Sequence, residues 1–222
     1  MVEVIKVGGS LSEDSASLTT LCQELGALAK SYRMLVVPGG GKFADVVREF
    51  YHNFVLSDTV VHKMAILSMD QFGLFLSSIT PNSQITYVLE EARSLSSAGI
   101  LPIILPSRLM FQKDPLEHSW NVTSDSIAAY IAGLLLAKKL ILVTDVDGIF
   151  TEDPKKDPNA RMIEKLSVDE LLGWSKRTSV DKFLPRMLLK TRVDCYVVSG
   201  KHPERIKAIL KGEKTICTQI VF

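Results

Sequence analysis

The chain has 222 residues, 46% of them hydrophobic and 23% charged, which fits one compact α/β unit over 1–222 and excludes a disordered or fibrous protein. Its 26 Lys plus Arg against 25 Asp plus Glu leave a formal charge of +1, so no overall field draws nucleic acid or an anionic membrane, and anion binding must be local. No apolar run approaches the roughly 20 residues needed to cross a bilayer, and Met1 to Ser10 lacks the basic and apolar parts of a signal peptide, so the expectation is a cytoplasmic protein.

Short β-rich apolar runs alternate with longer helical patterns, which predicts a mainly parallel sheet covered on both faces. Glu3 to Val7 reads as a first strand, followed by Gly8-Gly9-Ser10 and a helix over about 14–30 with Leu18, Leu21, Leu25 and Leu28 on one face. Met34 to Val37 is a second strand that ends in Pro38 and Gly39 to Gly41, after which Phe43, Val46, Val47 and Phe50 recur at helical spacing. A long helix is predicted over 58–78, a break at Pro81 to Ser83, a helix over 88–97 and a strand over 100–105. Met110 to Asn121 is polar, irregular and aromatic, and reads as a loop or flap beside a site. Thr123, Ser124 and Asp125 stand at the head of a helix running to Leu135, and Leu140 to Thr144 reads as a central strand. It leads into Asp145-Val146-Asp147-Gly148 and a Pro- and Lys-rich surface loop up to Asn159. Further helices are expected from Ser167, over 181–192 and over 203–211, with strands over 195–198 and 216–221. Cys22, Cys195 and Cys217 are odd in number and far apart, which suits neither a disulfide framework nor a zinc cluster.

Three motifs could carry chemistry. Lys6-Val7-Gly8-Gly9-Ser10 lies where a strand gives way to a helix, so glycine amides and a lysine could converge on phosphate oxygens, although a double glycine also makes a plain tight turn. Neither the P-loop pattern nor the spaced dinucleotide fingerprint is present. Gly39-Gly40-Gly41 repeats the geometry and suggests a second anion site, to which Lys42 adds charge if it is not simply a solvated helix lysine. Asp145 and Asp147 follow the best strand, where ligands of open α/β sheets bind. They resemble a metal pair, yet two carboxylates without a third ligand make a poor cage for Mg²⁺, and a loop-ordering role accounts for them equally well.

Taken in order, Lys6 to Ser10, Pro38 to Gly41, Thr123-Ser124-Asp125, Thr144 to Ile149 and Asp153-Pro154 resemble the motifs of the amino acid kinase family over essentially the whole chain. The resemblance implies a three-layer αβα sandwich with about eight mostly parallel strands, and ATP with Mg²⁺ meeting a small acceptor at their carboxyl ends. It implies that Lys6 neutralises the transferring phosphoryl group and that Asp125 holds Lys6 in place. Gly8, Gly9 and Ser10 are then expected at the ATP phosphates, Gly39, Gly40 and Gly41 at the acceptor, and Thr144, Asp145, Gly148, Phe150, Asp153 and Pro154 along the nucleotide. No protein-built metal site is implied. Such kinases commonly form homo-oligomers, and the apolar helix from Met64 to Leu76 offers a surface for that.

Val180-Asp181 followed by Leu184-Pro185 departs from the carboxylate-phosphorylating members and resembles the uridylate kinase-like branch, whose acceptors already carry a phosphate. Lys182 and Arg186 are the cations available there. Lys42-Phe43-Ala44-Asp45 lacks the histidine of isopentenyl phosphate kinases, and the length leaves no room for the regulatory domains of aspartate kinases. Ser57-Asp58, His62 to Ile66, Asp114-Pro115 and Ser119 to Asp125 are similar to the archaeal branch acting in methanofuran biosynthesis. That implies an aminomethylfuran-methyl phosphate acceptor, with His62 and Trp120 near it and Asp58 or Asp70 for its ammonium. Asp70 follows His62 by about two helical turns, so both could face one crevice. A nucleotide- and oxoanion-binding storage protein of similar fold is the non-catalytic alternative.

Overall fold

The computed structural model describes residues 1–174 and 178–222. Strand β1 (Glu3–Val7) passes through a 3-10 turn (Gly9–Glu13) into helix α1 (Ser15–Leu28). Asp14 caps that helix, its carboxylate accepting from the Ser17 N–H at 3.0 Å and the Ser17 hydroxyl at 2.7 Å. Then come β2 (Met34–Pro38), α2 (Gly41–Asn53) and the long α3 (Asp58–Ile79). Where the sequence predicts only a chain break, β3 (Ser83–Thr86) forms, a strand too short and too polar to show its alternation. It is followed by α4 (Leu89–Ser97), β4 (Leu101–Ile104) and α5 (Ser107–Lys113). Helix α5 takes up the first part of the predicted flap because a residue distant in sequence caps it: the Asp70 carboxylate accepts from the Ser107 N–H at 3.2 Å.

The chain continues with α6 (Ser124–Leu135) and β5 (Lys139–Thr144). A small antiparallel pair, β6 (Ile149–Phe150) and β7 (Met162–Ile163), brackets the surface loop. Then β8 (Lys165–Ser167) leads into α7 (Val168–Gly173), which opens on a reciprocal capping box between Ser167 and Glu170. The last elements are α8 (Leu184–Thr191), β9 (Asp194–Ser199), α9 (Glu204–Lys211) and β10 (Thr218–Val221). Among the described residues no helix is long and apolar enough to cross a membrane.

Eight strands form one open sheet in the order β3-β4-β2-β1-β5-β9-β10-β8, parallel except where β10 meets β9. Alternation along the buried strands sorts their side chains into two apolar layers. Val4, Leu35, Val37 and Leu142 pack with Ile127, Ala128 and Ile131 of α6 on one face. Ile5, Val7, Val36, Ile141 and Val143 pack with Leu18, Leu21 and Leu25 of α1 on the other. Each fully buried leucine contributes roughly 2 kcal/mol of transfer free energy to holding α1 down.

Two consequences position the site. Val7 pairs with both Pro38 and Val143, so β1, β2 and β5 end level and their following loops leave from one edge. Lys6 shares the Val4 face by the two-residue pleat, so it points toward the layer covered by α6.

Candidate functional site

An open crevice of about 1010 Å³ runs along this edge, walled by the loops after β1, β2 and β5 and by the first turn of α6. At its floor the buried Lys6 ammonium lies 2.8 Å from Asp125 Oδ1. The meeting is a result of strand pleat and helix placement: the alanines of α6, Ala128, Ala129 and Ala132, are fully buried and let the helix approach the sheet closely. Asp125 Oδ2 accepts the Asp181 N–H at 3.1 Å, which fixes the carboxylate in orientation as well as in charge.

Asp181 organises this corner. Its carboxylate accepts from Thr123 and Ser126 N–H at 2.9 and 3.0 Å and from Phe183 and Leu184 N–H at 3.1 and 2.8 Å. One side chain therefore caps the starts of α6 and α8 together, and the Thr123 and Ser126 hydroxyls add donors at 3.0 and 2.6 Å. Burial first, then the Asp125 charge, push its carboxyl up to about 6 against those donors. Sequence reading places Asp181 at the start of a helix, and that much was visible; its second role at α6 had no local signal. Thr123 is the residue before the first turn of α6 and makes no side-chain cap bond; Asp181, not the Ser124 and Asp125 expected to cap the helix, accepts the Thr123 and Ser126 amides.

The two glycine turns touch. A Cβ on Gly9 would fall 2.2 Å from Gly41 N, and one on Gly8 would fall 2.8 Å from the Val143 carbonyl. Gly39 donates its N–H to Val7 O at 2.8 Å and a Cβ there would meet Gly9 N at 2.7 Å. Gly39 thus sits behind the wall and joins the strand ends, whereas Gly40, Gly41 and Lys42 line the crevice. Helix α2 begins at Gly41, so its first amides, which have no partner within the helix, stand at this wall.

On the other side of Lys6, Gly8, Gly9, Ser10, Thr144, Asp145, Gly148, Phe150, Asp153 and Pro154 all line the crevice. Asp145 accepts from the Ser10 and Thr144 hydroxyls at 3.1 and 3.2 Å and pairs with Lys155 at 2.5 Å. Burial pushes its carboxyl up, but the Lys155 bond and charge, with Ser10, hold it below its usual value. Asp147 pairs with Arg205 at 2.5 Å. The two aspartates are thus each paired with a separate cation, which ties the loop after β5 to Lys155 and Arg205. Thr218 pins the turn between them and β6: its hydroxyl accepts from Ile149 N–H at 2.7 Å and donates to Ile163 O at 2.5 Å.

The far wall carries His62, Trp120 and Arg48. Trp120 is held between the Arg48 guanidinium, 5.0 Å from its ring centre, and Tyr51, whose hydroxyl donates to Asp58 at 2.9 Å. Asp58, His62 and Trp120 share a small side recess. Asp70 lies elsewhere: it is buried under α5 with Ser107 and does not reach the crevice, because eight residues along a helix carry a side chain about 12 Å along the axis. Burial raises its carboxyl, against the two Ser107 bonds. Lys182 lines the crevice, while Arg186 stands over the Phe183 ring at 5.8 Å, outside it. Arg48 and Lys155 are crevice cations that local sequence patterns did not mark.

A profile described as the amino acid kinase family matches residues 1–198. The chain is 34% identical over 220 residues to a [5-(aminomethyl)furan-3-yl]methyl phosphate kinase of Methanocaldococcus jannaschii, covering 99% of this chain and 98% of that protein. Among solved structures, uridylate kinase from Archaeoglobus fulgidus superposes with a TM-score of 0.76 at 24% identity over 99% of this chain and all of that one. The T. acidophilum isopentenyl phosphate kinase gives 0.64 at 21% identity, over 99% of this chain and 100% of that one. The last two share its fold, and the first is similar in sequence across the full length. The chain belongs to the amino acid kinase family and is a phosphotransferase.

Proposed function

We propose that this kinase transfers the γ-phosphoryl group of ATP, bound with Mg²⁺, to a phosphate oxygen of a small phosphomonoester, [5-(aminomethyl)furan-3-yl]methyl phosphate. The observation that carries the reading is the buried ion pair between Lys6 of β1 and Asp125 of α6, with β1 lying between the strands whose following loops wall the crevice. Phosphoryl transfer has a loose transition state that asks for alignment and charge neutralisation more than covalent chemistry. Lys6 supplies the charge. Asp125 is committed to Lys6 and to the Asp181 N–H and so is a positioning group, not a base. No base is required, since a phosphomonoester oxygen is already ionised: it bonds to the γ-phosphorus as the bond to the ADP oxygen breaks.

The donor side suits a polyphosphate, because Gly8, Gly9 and Ser10 line the crevice at the end of β1, and the close packing of Gly8 on Val143 O and of Gly9 on Gly41 N fixes the backbone of that turn. Gly8, Gly9 and Ser10 are assigned to its phosphates, Thr144, Asp145 and Gly148 to the turn beneath it, and Phe150, Asp153 and Pro154 to the nucleoside end. Mg²⁺ would contribute charge neutralisation on the phosphates while keeping several waters. For the acceptor, the first amides of α2 at Gly41 with Lys42 suit its phosphate, Trp120 its ring, and Asp58 its ammonium, beside His62. The full-length likeness to the furan phosphate kinase favours this acceptor over UMP and isopentenyl phosphate. A cytoplasmic homo-oligomer accords with the exposed Phe43, Val46 and Phe50 of α2 and Leu67, Leu74 and Phe75 of α3.

The test is product analysis after incubation with Mg-ATP and a panel of the furan phosphate, UMP, isopentenyl phosphate, acetylglutamate and carbamate, with Lys6→Ala as control. Turnover of the furan phosphate alone is expected. Preferred turnover of UMP or isopentenyl phosphate would overturn the acceptor, and nucleotide binding without any phosphorylated product would favour a storage protein.

A further inference from the structure

Behind the far wall of the crevice, which His62 lines, His62, Asp114 and His118 bring three potential ligand atoms within 4.8 Å of one another. We propose that they form a binding site for a divalent cation of the zinc class, which fastens the segment after α5 to helix α3. The elements meet because Asp114 ends α5 in the left-handed conformation, φ 41° and ψ 54°, and turns the chain back over α3. His118 then reaches Asp114, with Nε2 2.8 Å from Oδ1, and its ring stacks on His62 at 4.6 Å between centres and 23° between planes.

The donor set has the right chemistry. Two imidazoles and a carboxylate suit Zn²⁺ and its neighbours, which take such ligands at roughly 2.0–2.2 Å, whereas Ca²⁺ and Mg²⁺ prefer all-oxygen shells. The His118 ring is already oriented, since its Nδ1 lies 2.9 Å from the Thr59 hydroxyl, leaving Nε2 for the shared position with Asp114. His62 is buried, and among the described residues no side-chain hydrogen bond engages its ring. An ordinary Asp114–His118 ion pair explains those two residues and the Thr59 contact, but gives no reason for a second imidazole stacked upon them.

The consequence is mechanical. Residues 114–122 carry Trp120 into the crevice wall, and a cation bridging Asp114 and His118 to His62 would hold the first half of that segment against α3. The site shares His62 with the acceptor wall, and its other two ligands, Asp114 and His118, are not among the residues that line the crevice.

The experiment is titration of the full-length, chelator-treated protein with Zn²⁺ by calorimetry and with Co²⁺ by visible absorption, in the absence of nucleotide. One equivalent is expected, with Co²⁺ giving the d–d bands of a low-coordinate nitrogen and oxygen site. His118→Gln and Asp114→Asn should each weaken binding by at least about 10-fold, and Thr59→Val by about 10-fold through loss of ring orientation. All three positions lie at or near the surface, and circular dichroism of each variant checks that the fold is kept. Binding no tighter than about 1 mM in the wild type, or wild-type affinity in both His118→Gln and Asp114→Asn, overturns the proposal. Should one variant fail to fold, the other two decide on the same criterion.

Discussion

Asp125 holds Lys6 with one carboxylate oxygen, at 2.8 Å, and receives the Asp181 N–H on the other, at 3.1 Å. The pair is buried on both sides, so neither charge is screened by solvent as a surface ion pair would be, and removing one partner strands the other.

Lys6→Ala is therefore expected to lower kcat by at least about 100-fold, the scale of losing one preorganised charge at the reacting group. It should also destabilise the fold by about 3 kcal/mol, because the Asp125 charge is left buried and unpaired. The double variant Lys6→Met with Asp125→Asn should regain most of the stability and none of the activity. Denaturant melts and steady-state rates on the three proteins check this, and recovery of both properties together would mean that the pair has only a structural role.

Gly9→Ala places a methyl 2.2 Å from a backbone nitrogen of the acceptor-side turn, where no flexible side chain can give way. Both turns must separate, so affinity for nucleotide should fall at least 10-fold and the thermal midpoint by several degrees. Gly173→Ala, at a position with nothing within 4 Å, is the matched control and should change stability by no more than about 0.5 kcal/mol. Equal behaviour of the two variants would contradict the packed-turn account.

Asp58→Asn and Asp70→Asn separate the two carboxylates proposed for an acceptor ammonium. Asp58 shares a recess with His62 and Trp120, so its variant should raise the KM of the furan phosphate about 10-fold with little change in kcat. Asp70 caps α5, so its variant should cost about 1 kcal/mol of stability and leave that KM within about twofold. The reverse pattern of KM changes would reassign the ammonium to the wrong end of α3 for this geometry.

The raised Asp181 carboxyl gives a pH dependence with a definite sign. The folded protein holds that proton up to about 6, whereas the unfolded chain releases it near the ordinary value of 3.8. Between these pH values the native state binds more protons, so the stability contributed by Asp181 is largest below 3.8 and is lost as pH rises to about 6. The size is on the order of 3 kcal/mol. Asp181→Asn removes the titration, and the wild-type minus variant difference in unfolding free energy should therefore fall across this window. A difference that rises with pH would show that the amide and hydroxyl donors outweigh burial.

The elements around the site were legible where the signal is local. Leu18, Leu21 and Leu25 mark α1, Ser167 with Glu170 marks the start of α7, and the glycines after β1 and β2 mark turns whose backbones must approach closely. Strand β3 was not legible, since four polar or half-buried residues carry no periodicity. Helix α5 was hidden inside the predicted flap because its cap, Asp70, comes from α3.

The site divides along the same line. By itself the sequence determined the types of group available: a lysine one pleat from the end of a buried strand, two amide-rich turns, and an aspartate in the first turn of a small-residue helix. Only the tertiary structure decided that Lys6 faces α6, that Asp181 caps two helices at once, that Asp58 and not Asp70 reaches the recess, and that His62 stacks on His118. The physical reason is that turn and helix preferences act over a few residues, whereas these meetings depend on strand order, on pleat parity and on which helix covers which face of the sheet.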